Sequence, residues 1–496
     1  MRRMTRSGIG TTAGFGLSTH SKDELDSLHY ATIQILQDTG IKVISEEALE
    51  IFHGAGAAVE RFGGYGIAKI PSYLVEDCVH WAPRTVVYDA RNPNDDYVAE
   101  PNRVGFTTFG GCVNVIDPIT RQVRRATKKD CGDITRVCDF LDEICVAERT
   151  VNSTDVLNQC QSTHNLEAML GNTGKHIFLG ADSPRALNVM VDLAACCTGG
   201  KEFFSSRPIF TVNVCPLSPL TLPQNTCDIT IKAASLGVGI MVMPMALSGG
   251  TSPATLAGTL AIHNAEVLGC IVLAQLTRRG LPCTYGSSST ILDLRFGTTA
   301  IGSPEYGVIN ASIVKLAQYY RLPCFVGGGA SDSKIPDIQS GYEFTLSAVL
   351  DALAGANLIF GSGVLEQGMT MDYAKLIMDS EMIRMVQAAL KGITITDETL
   401  AFDLIHEVGP GGAYISHEHS FKFMSSQSRT SLMDRRSRDH WMEMVQGKDM
   451  TERAYEVALE VLQNHKPYPL PEGAAETMSE IVFEFEKELK LDNKVA

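Results

Sequence analysis

The sequence has few basic residues relative to acidic ones, and this balance excludes some classes of binding partner. Its 496 residues carry 42 Lys and Arg against 57 Asp and Glu, which gives a formal net charge of -15. A charge of this sign disfavours non-specific binding to nucleic acid or to an anionic membrane surface. We therefore expect neither a nucleic-acid partner nor a membrane partner.

We also expect neither a secretory signal peptide nor a membrane-spanning segment. The basic first residues are not followed by the apolar run of a secretory signal peptide. The longest apolar stretch, 256–276, contains His263, Asn264, Glu266 and Gln275, which a membrane helix would disfavour. We interpret it as a buried helix of a globular protein.

The cysteines show no disulfide pattern. There are 13 of them, an odd number, scattered mostly through apolar runs and without a C-x-x-C pair. This usage is typical of free, buried thiols in a reducing compartment. We expect a cytoplasmic protein.

Short apolar runs alternate with helical patterns from about residue 104 onward. Eight β-then-α units predict an α/β fold of the (β/α)₈ TIM-barrel type. A doubly wound sheet is the alternative, but Gly327-Gly-Gly329 does not fit the nucleotide fingerprint usual there. We place the barrel at 104–363, between an N-terminal helical layer (1–103) and a C-terminal helical extension (364–496). The eight predicted strands are 104–109, 144–151, 176–179, 208–214, 239–245, 282–285, 323–326 and 357–360.

The stretch Cys324 to Lys334 stands out among these units. A buried strand ends in Gly327, Gly328 and Gly329, and Ser331, Asp332 and Ser333 then lead to a helix start. Glycine at such a place indicates a positive φ or a close approach of the backbone to another group. The carboxyl ends of barrel strands carry active sites, so this corner is either a site or an ordinary strand-to-helix connection.

Several segments resemble one enzyme family when they are taken together. They are Ser248-Gly-Gly-Thr-Ser-Pro253, His263-Asn-Ala-Glu266, Leu273-Ala-Gln-Leu276, Tyr285-Gly-Ser-Ser, Gly302-Ser-Pro-Glu305, Lys315-Leu-Ala-Gln318, Ser331-Asp-Ser-Lys334 with Gln339, and Leu353-Ala-Gly-Ala-Asn357. On these segments, which extend over most of the chain, the sequence resembles the trimethylamine methyltransferase superfamily.

The resemblance implies a TIM-barrel enzyme that passes a methyl group from a methylamine to the cobalt of a partner corrinoid protein. The founding members carry pyrrolysine immediately before the Ser-Asp-x-Lys segment, where this chain has Ala330. The resemblance therefore points to the non-pyrrolysine branch. That branch acts on glycine betaine, our first choice, or on proline betaine, carnitine or γ-butyrobetaine. No Asp-x-His-x-x-Gly cobalamin signature occurs, so we expect the corrinoid to be carried by its partner.

The chemistry of the leaving group agrees with that branch. A quaternary ammonium already carries a positive charge and leaves as a neutral amine, so the protein need only bind, orient and desolvate it. Such cations rest against aromatic faces. The barrel-strand aromatics are Phe106, Phe109, Phe178, Phe210, Tyr285, Phe325 and Phe360. Core packing is the alternative for each, and we favour Tyr285 and Phe360, with Phe106 and Phe109, as substrate contacts.

The remaining site candidates are polar or glycine residues at strand ends. Glu148 and Arg149 form either an ion pair inside the barrel or a contact to the substrate carboxylate. Asn213 and Asp332 either face the cation or hydrogen-bond the loop. We assign catalytic positions to Ala330, which replaces pyrrolysine, and to Asp332. The three glycines 327–329 are predicted to meet the corrinoid, and their N–H groups to be possible donors to the substrate.

His417 and His419 follow a glycine-rich break in the C-terminal extension. Two histidines at this spacing could bind Zn²⁺ with Glu418 or a cysteine. A quaternary amine needs no Lewis acid, and no third ligand is evident, so we predict no metal. We predict contact with substrate or cobalamin instead.

Two other functions compete with the methyltransferase hypothesis. A barrel lyase or hydrolase is disfavoured because the sequence offers no convincing acid/base pair or metal set. A non-catalytic betaine-binding protein would bind the same ligands without transferring a methyl group. In either of the betaine hypotheses we expect a homo-oligomer.

Overall fold

The computed structural model describes residues 16–101 and 103–495. Its centre is a sheet of eight parallel strands, and their order in the sheet is β1-β8-β7-β6-β5-β4-β3-β2. The edges meet because the Cys145 N–H, just before β2, donates to the Phe106 carbonyl in β1 at 2.8 Å. The sheet is thus a closed barrel. The strands are β1 Gly105–Thr108, β2 Ala147–Glu148, β3 Ile177–Gly180, β4 Phe210–Val214, β5 Ile240–Val242, β6 Cys283–Ser287, β7 Cys324–Gly327 and β8 Leu358–Ser362.

A helix follows each strand, which confirms the predicted TIM barrel over the doubly wound alternative. These helices are α1 Lys128–Phe140, α2 Gln161–Leu170, α3 Pro184–Thr198, α4 Gln224–Leu236, α5 Leu256–Thr277, α6 Pro304–Tyr320, α7 Ile338–Ala354 and α8 Tyr373–Leu390. Side-chain caps fix several of the starts. Thr127 and Asp130 form a capping box on α1, and Ser303 accepts from the Tyr306 N–H on α6.

The N-terminal layer is more than the predicted set of helices. Its helices Lys22–Gln34, Glu46–Gly54 and Ser72–Trp81 agree with the sequence pattern, and a π-helical turn Ile35–Thr39 extends the first. The layer also contains a sheet, which the prediction missed. This sheet joins Ile41–Val43, Ala58–Phe62 and Tyr65–Lys69 to Thr221–Leu222, which lies beyond the layer in sequence.

A hairpin closes the floor of the barrel, the end at which the strands begin. Its strands are Val86–Tyr88 and Tyr97–Ala99. The Tyr88 hydroxyl lies 2.6 Å from Thr284 Oγ1, and the Tyr97 hydroxyl donates to the Asn357 carbonyl at 2.6 Å. Both rings pack in the cluster that fills the barrel interior. The floor is therefore plugged by aromatic side chains.

Small sheets rim the opposite face, the mouth. One follows β1 and β8 and consists of Asn114–Ile116, Val123–Arg125, Val364–Leu365 and Thr370–Asp372. The other follows β5 and β6 and consists of Leu247–Ser248, Thr290–Asp293 and Thr298–Ala300. Short helices lie at Pro93–Asp95, Asn158–Cys160, Lys201–Ser206 and Glu366–Gly368.

Beyond residue 363 the chain first completes the barrel. Helix α8 packs beside α7 and against Met450–Asn464, so the eighth β/α unit runs past the predicted boundary at 363. The division at 103 and 363 otherwise stays a prediction. The later helices are Asp397–Leu400, Phe402–Val408, Glu418–Phe423, Met424–Ser426, Arg438–Val445, Met450–Asn464 and Ala474–Val495.

Helix α5 is the one helix in the described part of the chain that is long and apolar enough to cross a membrane. Of its most apolar window, 78% is buried inside the protein. Two of its polar residues are hydrogen-bonded there, since Asn264 accepts from the Tyr285 hydroxyl at 2.7 Å and Glu266 accepts from Ser218 at 2.7 Å. Helix α5 is therefore a core helix of the barrel, as the sequence predicted.

Candidate active site at the barrel mouth

Glycines open the mouth of the barrel. In parallel strands, register partners point to the same face, and alternate residues point inward. Register pairs Gly180 of β3 with Asn213 of β4, and Gly327 of β7 with Phe360 of β8. Phe360 belongs to the interior cluster, so Gly327 also faces inward. These two pairs occupy inward positions near the mouth, and the glycine of each pair has no side chain to fill the space.

An aromatic wall lines one side of this space. The Phe325 and Phe360 rings stack with centroids 5.1 Å apart, and Phe109 lies 5.8 Å from Phe360 at a tilt. Phe178 continues the stack downward, 5.2 Å from Phe325. Phe360 is 1% exposed, whereas Phe109 is partly exposed and lies nearer the solvent. The structure thus places predicted contacts Phe109 and Phe360 side by side.

Tyr306 reaches into the same space from helix α6. A Cβ at Gly327 would lie 1.7 Å from the Tyr306 hydroxyl oxygen and 3.1 Å from Phe360 Cζ. The phenol therefore occupies the place that a side chain at 327 would take. Its oxygen is buried and has no hydrogen-bonding partner among the described residues. Burial raises the pKa of Tyr306, so it remains a donor at neutral pH.

A buried carboxyl faces the aromatic wall from β2. Glu148 is 1% exposed and accepts from Asn213 Nδ2 at 3.2 Å, while its other oxygen has no partner in the described chain. Burial raises its pKa to about 8, although Arg149 and the Asn213 hydrogen bond act in the opposite direction. Gly110 leaves room for it, since a Cβ there would lie 2.4 Å from Glu148 Oε1. A cation entering the mouth would favour the ionised form.

Arg149 lies beside this carboxyl at the rim. Its charge acts on Glu148 in β2, on Cys112 after β1 and on Cys215 after β4. The guanidinium therefore lies near the carboxyl ends of these three strands. Its Nε is buried without a partner in the described structure. Its Nε is therefore an unused donor beside the mouth.

The glycine loop after β7 makes close contacts within the protein, and its predicted contact with the corrinoid stays a prediction. A Cβ at Gly328 would lie 2.2 Å from Asp351 Oδ2, and one at Gly329 would lie 2.7 Å from Phe344. The glycines thus make room for the protein's own side chains. The Gly328 N–H donates to the Phe360 carbonyl and the Gly329 N–H to Ser347. Neither N–H is available to a substrate carboxylate, which corrects that expectation.

Ala330 and Asp332 are fixed by neighbouring loops. Ala330 is fully buried against the large core. Asp332 Oδ1 accepts from the Ile301 N–H at 3.0 Å, and its own N–H donates to Glu343 at 2.8 Å. Burial raises the pKa of Asp332. Asp332 therefore ties the loop after β7 to the loop before α6, and its catalytic assignment stays a prediction.

Two of the favoured aromatics face away from the mouth. The Tyr285 hydroxyl donates to Asn264 on α5, and its ring packs near Tyr320 of α6. Phe106 pairs in register with Ile359, and both pack in the outer core between barrel and helices. Strand alternation puts these side chains on the outer face. The prediction that they contact substrate at the mouth is therefore wrong.

His417 and His419 are not brought to the mouth either. His417 Nε2 lies 3.9 Å from Glu407, and the His419 ring packs 4.5 Å from Phe423. Both contacts lie within the segment that follows α8. Their predicted role in substrate or cobalamin contact has no support in this placement.

One group outside the mouth has side chains that bind metals. Cys160, His164 and Glu486 place one potential ligand atom each within 4.8 Å of one another. Lys128 Nζ lies 3.1 Å from His164 Nδ1, and Lys490 pairs with Glu486 at 2.8 Å. Because two ammonium groups already contact this cluster, we assign it to an ion-pair network.

Comparison with known proteins identifies the family. A sequence profile described as "Trimethylamine methyltransferase (MTTB)" matches residues 13–489. The chain belongs to the trimethylamine methyltransferase family. A family member of Desulfitobacterium hafniense, named trimethylamine methyltransferase MttB, is 46% identical over 98% of both chains. One from Methanosarcina barkeri with the same name is 38% identical over 97% of both.

Two further comparisons concern the branch and the fold. A protein of Desulfitobacterium hafniense named glycine betaine methyltransferase is 30% identical over 90% of this chain and 92% of that one. This relative agrees with the branch without pyrrolysine, to which Ala330 points. The crystal structure of Methanosarcina barkeri monomethylamine methyltransferase (MtmB) superposes with a TM-score of 0.54 at 13% identity, covering 93% of this chain and 92% of that chain. At this low identity, the likeness supports the barrel fold and says nothing about substrate or residue roles.

Sequence reasoning missed Tyr306. The residue directly follows Gly302-Ser-Pro-Glu305, one of the segments that carry the family resemblance. Ser303 caps helix α6, so Tyr306 lies in its first turn, at the mouth end of the barrel. The Ser303 cap predicts that Tyr306 lies at the mouth end of helix α6. That its side chain points into the barrel depends on the glycine at position 327, which belongs to another β/α unit.

Proposed function

We propose that this chain transfers a methyl group from a small quaternary amine, glycine betaine first, to the Co(I) of a cognate corrinoid protein. In this in-line displacement the methyl C–N bond breaks and a C–Co bond forms. The nitrogen keeps the electron pair of the broken bond and leaves as a neutral tertiary amine. The corrinoid is a substrate carried by the partner, and the reaction belongs in the cytoplasm, where all thirteen cysteines can remain free thiols.

The observation that carries this proposal is the pairing of an aromatic wall with a buried carboxyl. Phe109 and Phe360 lie side by side, and Tyr306 lies next to Phe360 at Gly327. Glu148 pairs in register with Phe178 of the interior cluster, so its carboxyl points into the barrel, where one of its oxygens is unpaired in the described structure. Aromatic faces and a carboxylate are complementary to a methylated ammonium group. In the proposed reaction the electron pair that attacks the methyl carbon comes from Co(I), and these residues bind and orient the methylated nitrogen.

The carboxylate of glycine betaine needs a donor at the other end. Arg149 is the cation beside Glu148, and its Nε has no partner among the described residues. The glycine loop does not compete for this role, since the Gly328 and Gly329 N–H groups are already bonded within the protein. Proline betaine, carnitine and γ-butyrobetaine share both charges and are alternatives of the same class.

Trimethylamine is the second candidate, because the relatives at 46% and 38% identity carry its name. A tertiary amine leaves as an amide anion unless it is activated. In the founding enzymes pyrrolysine is thought to supply that activation, and Ala330 cannot. This difference favours the quaternary amine.

Methyl transfer to a reduced corrinoid protein tests the proposal. The purified chain is mixed with Co(I) corrinoid protein and one donor at a time: glycine betaine, the other three betaines, or trimethylamine. We expect methyl-Co(III) absorbance with a betaine, and at a rate reduced at least tenfold in Phe360→Ala. Methyl transfer from trimethylamine alone would overturn the substrate. Tight betaine binding without methyl transfer would favour the non-catalytic alternative.

A further inference from the structure

The segment that follows helix α8 has no buried residue. In this segment, residues 391–431, hereafter the arm, every side chain is exposed or partly exposed. Large apolar side chains are nevertheless frequent in it. Those more than 40% exposed are Ile393, Ile395, Leu400, Phe402, Ile405, Tyr414, Ile415, Phe421 and Met424. Exposed apolar side chains at this frequency indicate an interaction site.

The arm does not stabilise itself. Its α-helices have 4, 7 and 6 residues, and isolated helices shorter than about 12 residues are marginal in water. The side-chain bonds of residues 394–428 in the described structure stay local, as in Lys422 with Glu398 and His417 with Glu407. Packing against another surface must therefore supply the stability of these helices.

The apolar surface is large enough for a stable interface. The nine side chains range from 41% to 90% exposed. At roughly 100 Å² each they amount to about 900 Å², close to the ~800 Å² that each partner buries in a standard interface. If each of two identical chains packed its arm against the other, the apolar surface of both arms would be buried.

We propose that the arm packs against a second copy of this chain. A surface this apolar is typical of permanent interfaces, which are more hydrophobic than transient ones. A corrinoid protein has to leave after each methyl transfer, and would expose the arm each time. The arm also starts away from the mouth. Helix α8 runs antiparallel to the strands, so Leu390 lies at its floor end, and Ser431 returns to Glu381 in the middle of α8.

Oligomeric state tests this inference. Light scattering with size exclusion should give wild type a mass that is a multiple of 53.7 kDa. The double variant Phe402→Asp/Ile415→Asp should show a lower-order species, with self-association weakened at least about 100-fold, because it buries unpaired charges. The control Phe203→Asp, at a side chain 65% exposed on the barrel body, should keep the wild-type mass.

A second measurement keeps the inference testable if the double variant fails to fold. Wild-type chains labelled with ¹⁵N are mixed with unlabelled chains, dissociated in urea and reassembled together by dilution, and cross-linked through Lys422. Cross-links of mixed isotope should join Lys422 to lysines of the other copy. A monomeric wild type, an unchanged mass in the double variant, or an oligomer without mixed cross-links from the arm would each overturn the proposal.

Discussion

Replacing Glu148 with glutamine tests whether a buried carboxylate holds the substrate's cation. Burial raises the pKa of Glu148 from 4.5 to about 8. In the free protein at pH 6, about 1 carboxyl in 100 is then ionised. The glutamine variant keeps an oxygen that can accept from Asn213, now 3.2 Å from the carboxyl. The change therefore removes the charge and preserves the contact.

The structure gives this change a magnitude. If the cation binds the ionised form, apparent affinity for glycine betaine rises tenfold per pH unit below the pKa. It should gain about 100-fold between pH 6 and pH 9, where it levels off. Binding should also release a proton below pH 8. Glu148→Gln should show weak affinity with little dependence on pH.

The free energy of unfolding should fall as pH rises, whereas betaine affinity should increase. The pKa of Glu148 is raised in the folded state, so its contribution to stability is fully present below pH 4.5 and is lost as pH rises through about 8. The loss is about 1.4 kcal/mol per pH unit, or roughly 5 kcal/mol in all. Glu148→Gln should therefore match wild type near pH 5 and exceed its free energy of unfolding at pH 8.5.

Titration calorimetry and urea unfolding measure both effects. Glycine betaine is titrated at pH 6, 7, 8 and 9 in two buffers of different ionisation enthalpy, which counts the protons released. Wild-type affinity that does not change with pH, or a glutamine variant that binds as tightly as wild type at pH 9, would refute the role of Glu148. Equal stability of both proteins at pH 8.5 would refute the raised pKa.

Four other substitutions distinguish residues at the mouth from residues that face away from it. Phe360→Ala should weaken betaine binding roughly thirtyfold in calorimetry, since a desolvated cation–π contact is worth about 2 kcal/mol. Tyr285→Phe should leave affinity unchanged and lower stability by about 1–3 kcal/mol in urea unfolding, because Asn264 loses its donor. Tyr306→Phe should unfold at no lower temperature than wild type, since its hydroxyl has no partner in the described chain, while methyl-Co(III) formation slows; an unchanged rate would remove Tyr306 from the site. Ala330→Lys should weaken betaine binding through like-charge repulsion and lower the melting temperature, because position 330 is fully buried. Tighter betaine binding would contradict the repulsion, and an unchanged melting temperature would contradict the cost of burying the charge.

The barrel itself was accessible from the sequence. Each predicted strand overlaps an observed one, since glycines and prolines delimit the apolar runs, as at Pro323 and Gly327. The orientation of single side chains was not accessible. Parallel barrel strands are buried on both faces, so apolar residues do not reveal which face is inward. Phe360 and Tyr285 looked alike in sequence, and only the register between strands separates them.

The glycine loop and the arm show two further limits. Gly327 and Gly328 were recognised as sites of close approach, but the groups that approach, Tyr306 and Asp351, come from helices α6 and α7. Such pairs are distant along the chain and carry no local signal. His417 and His419 are good ligands in principle, yet the contacts described for them, with Glu407 and Phe423, lie within the arm.

The plugged floor sets an order of events under the proposed function. Tyr88 and Tyr97 close the end of the barrel at which the strands begin, so we expect the amine to enter and leave by the mouth. The corrinoid must cover that same opening to bring cobalt within reach of the methyl group. The amine therefore enters first, and its demethylated product leaves only after the corrinoid protein has dissociated. Excess corrinoid protein should then inhibit turnover, because it covers the mouth before a donor has bound.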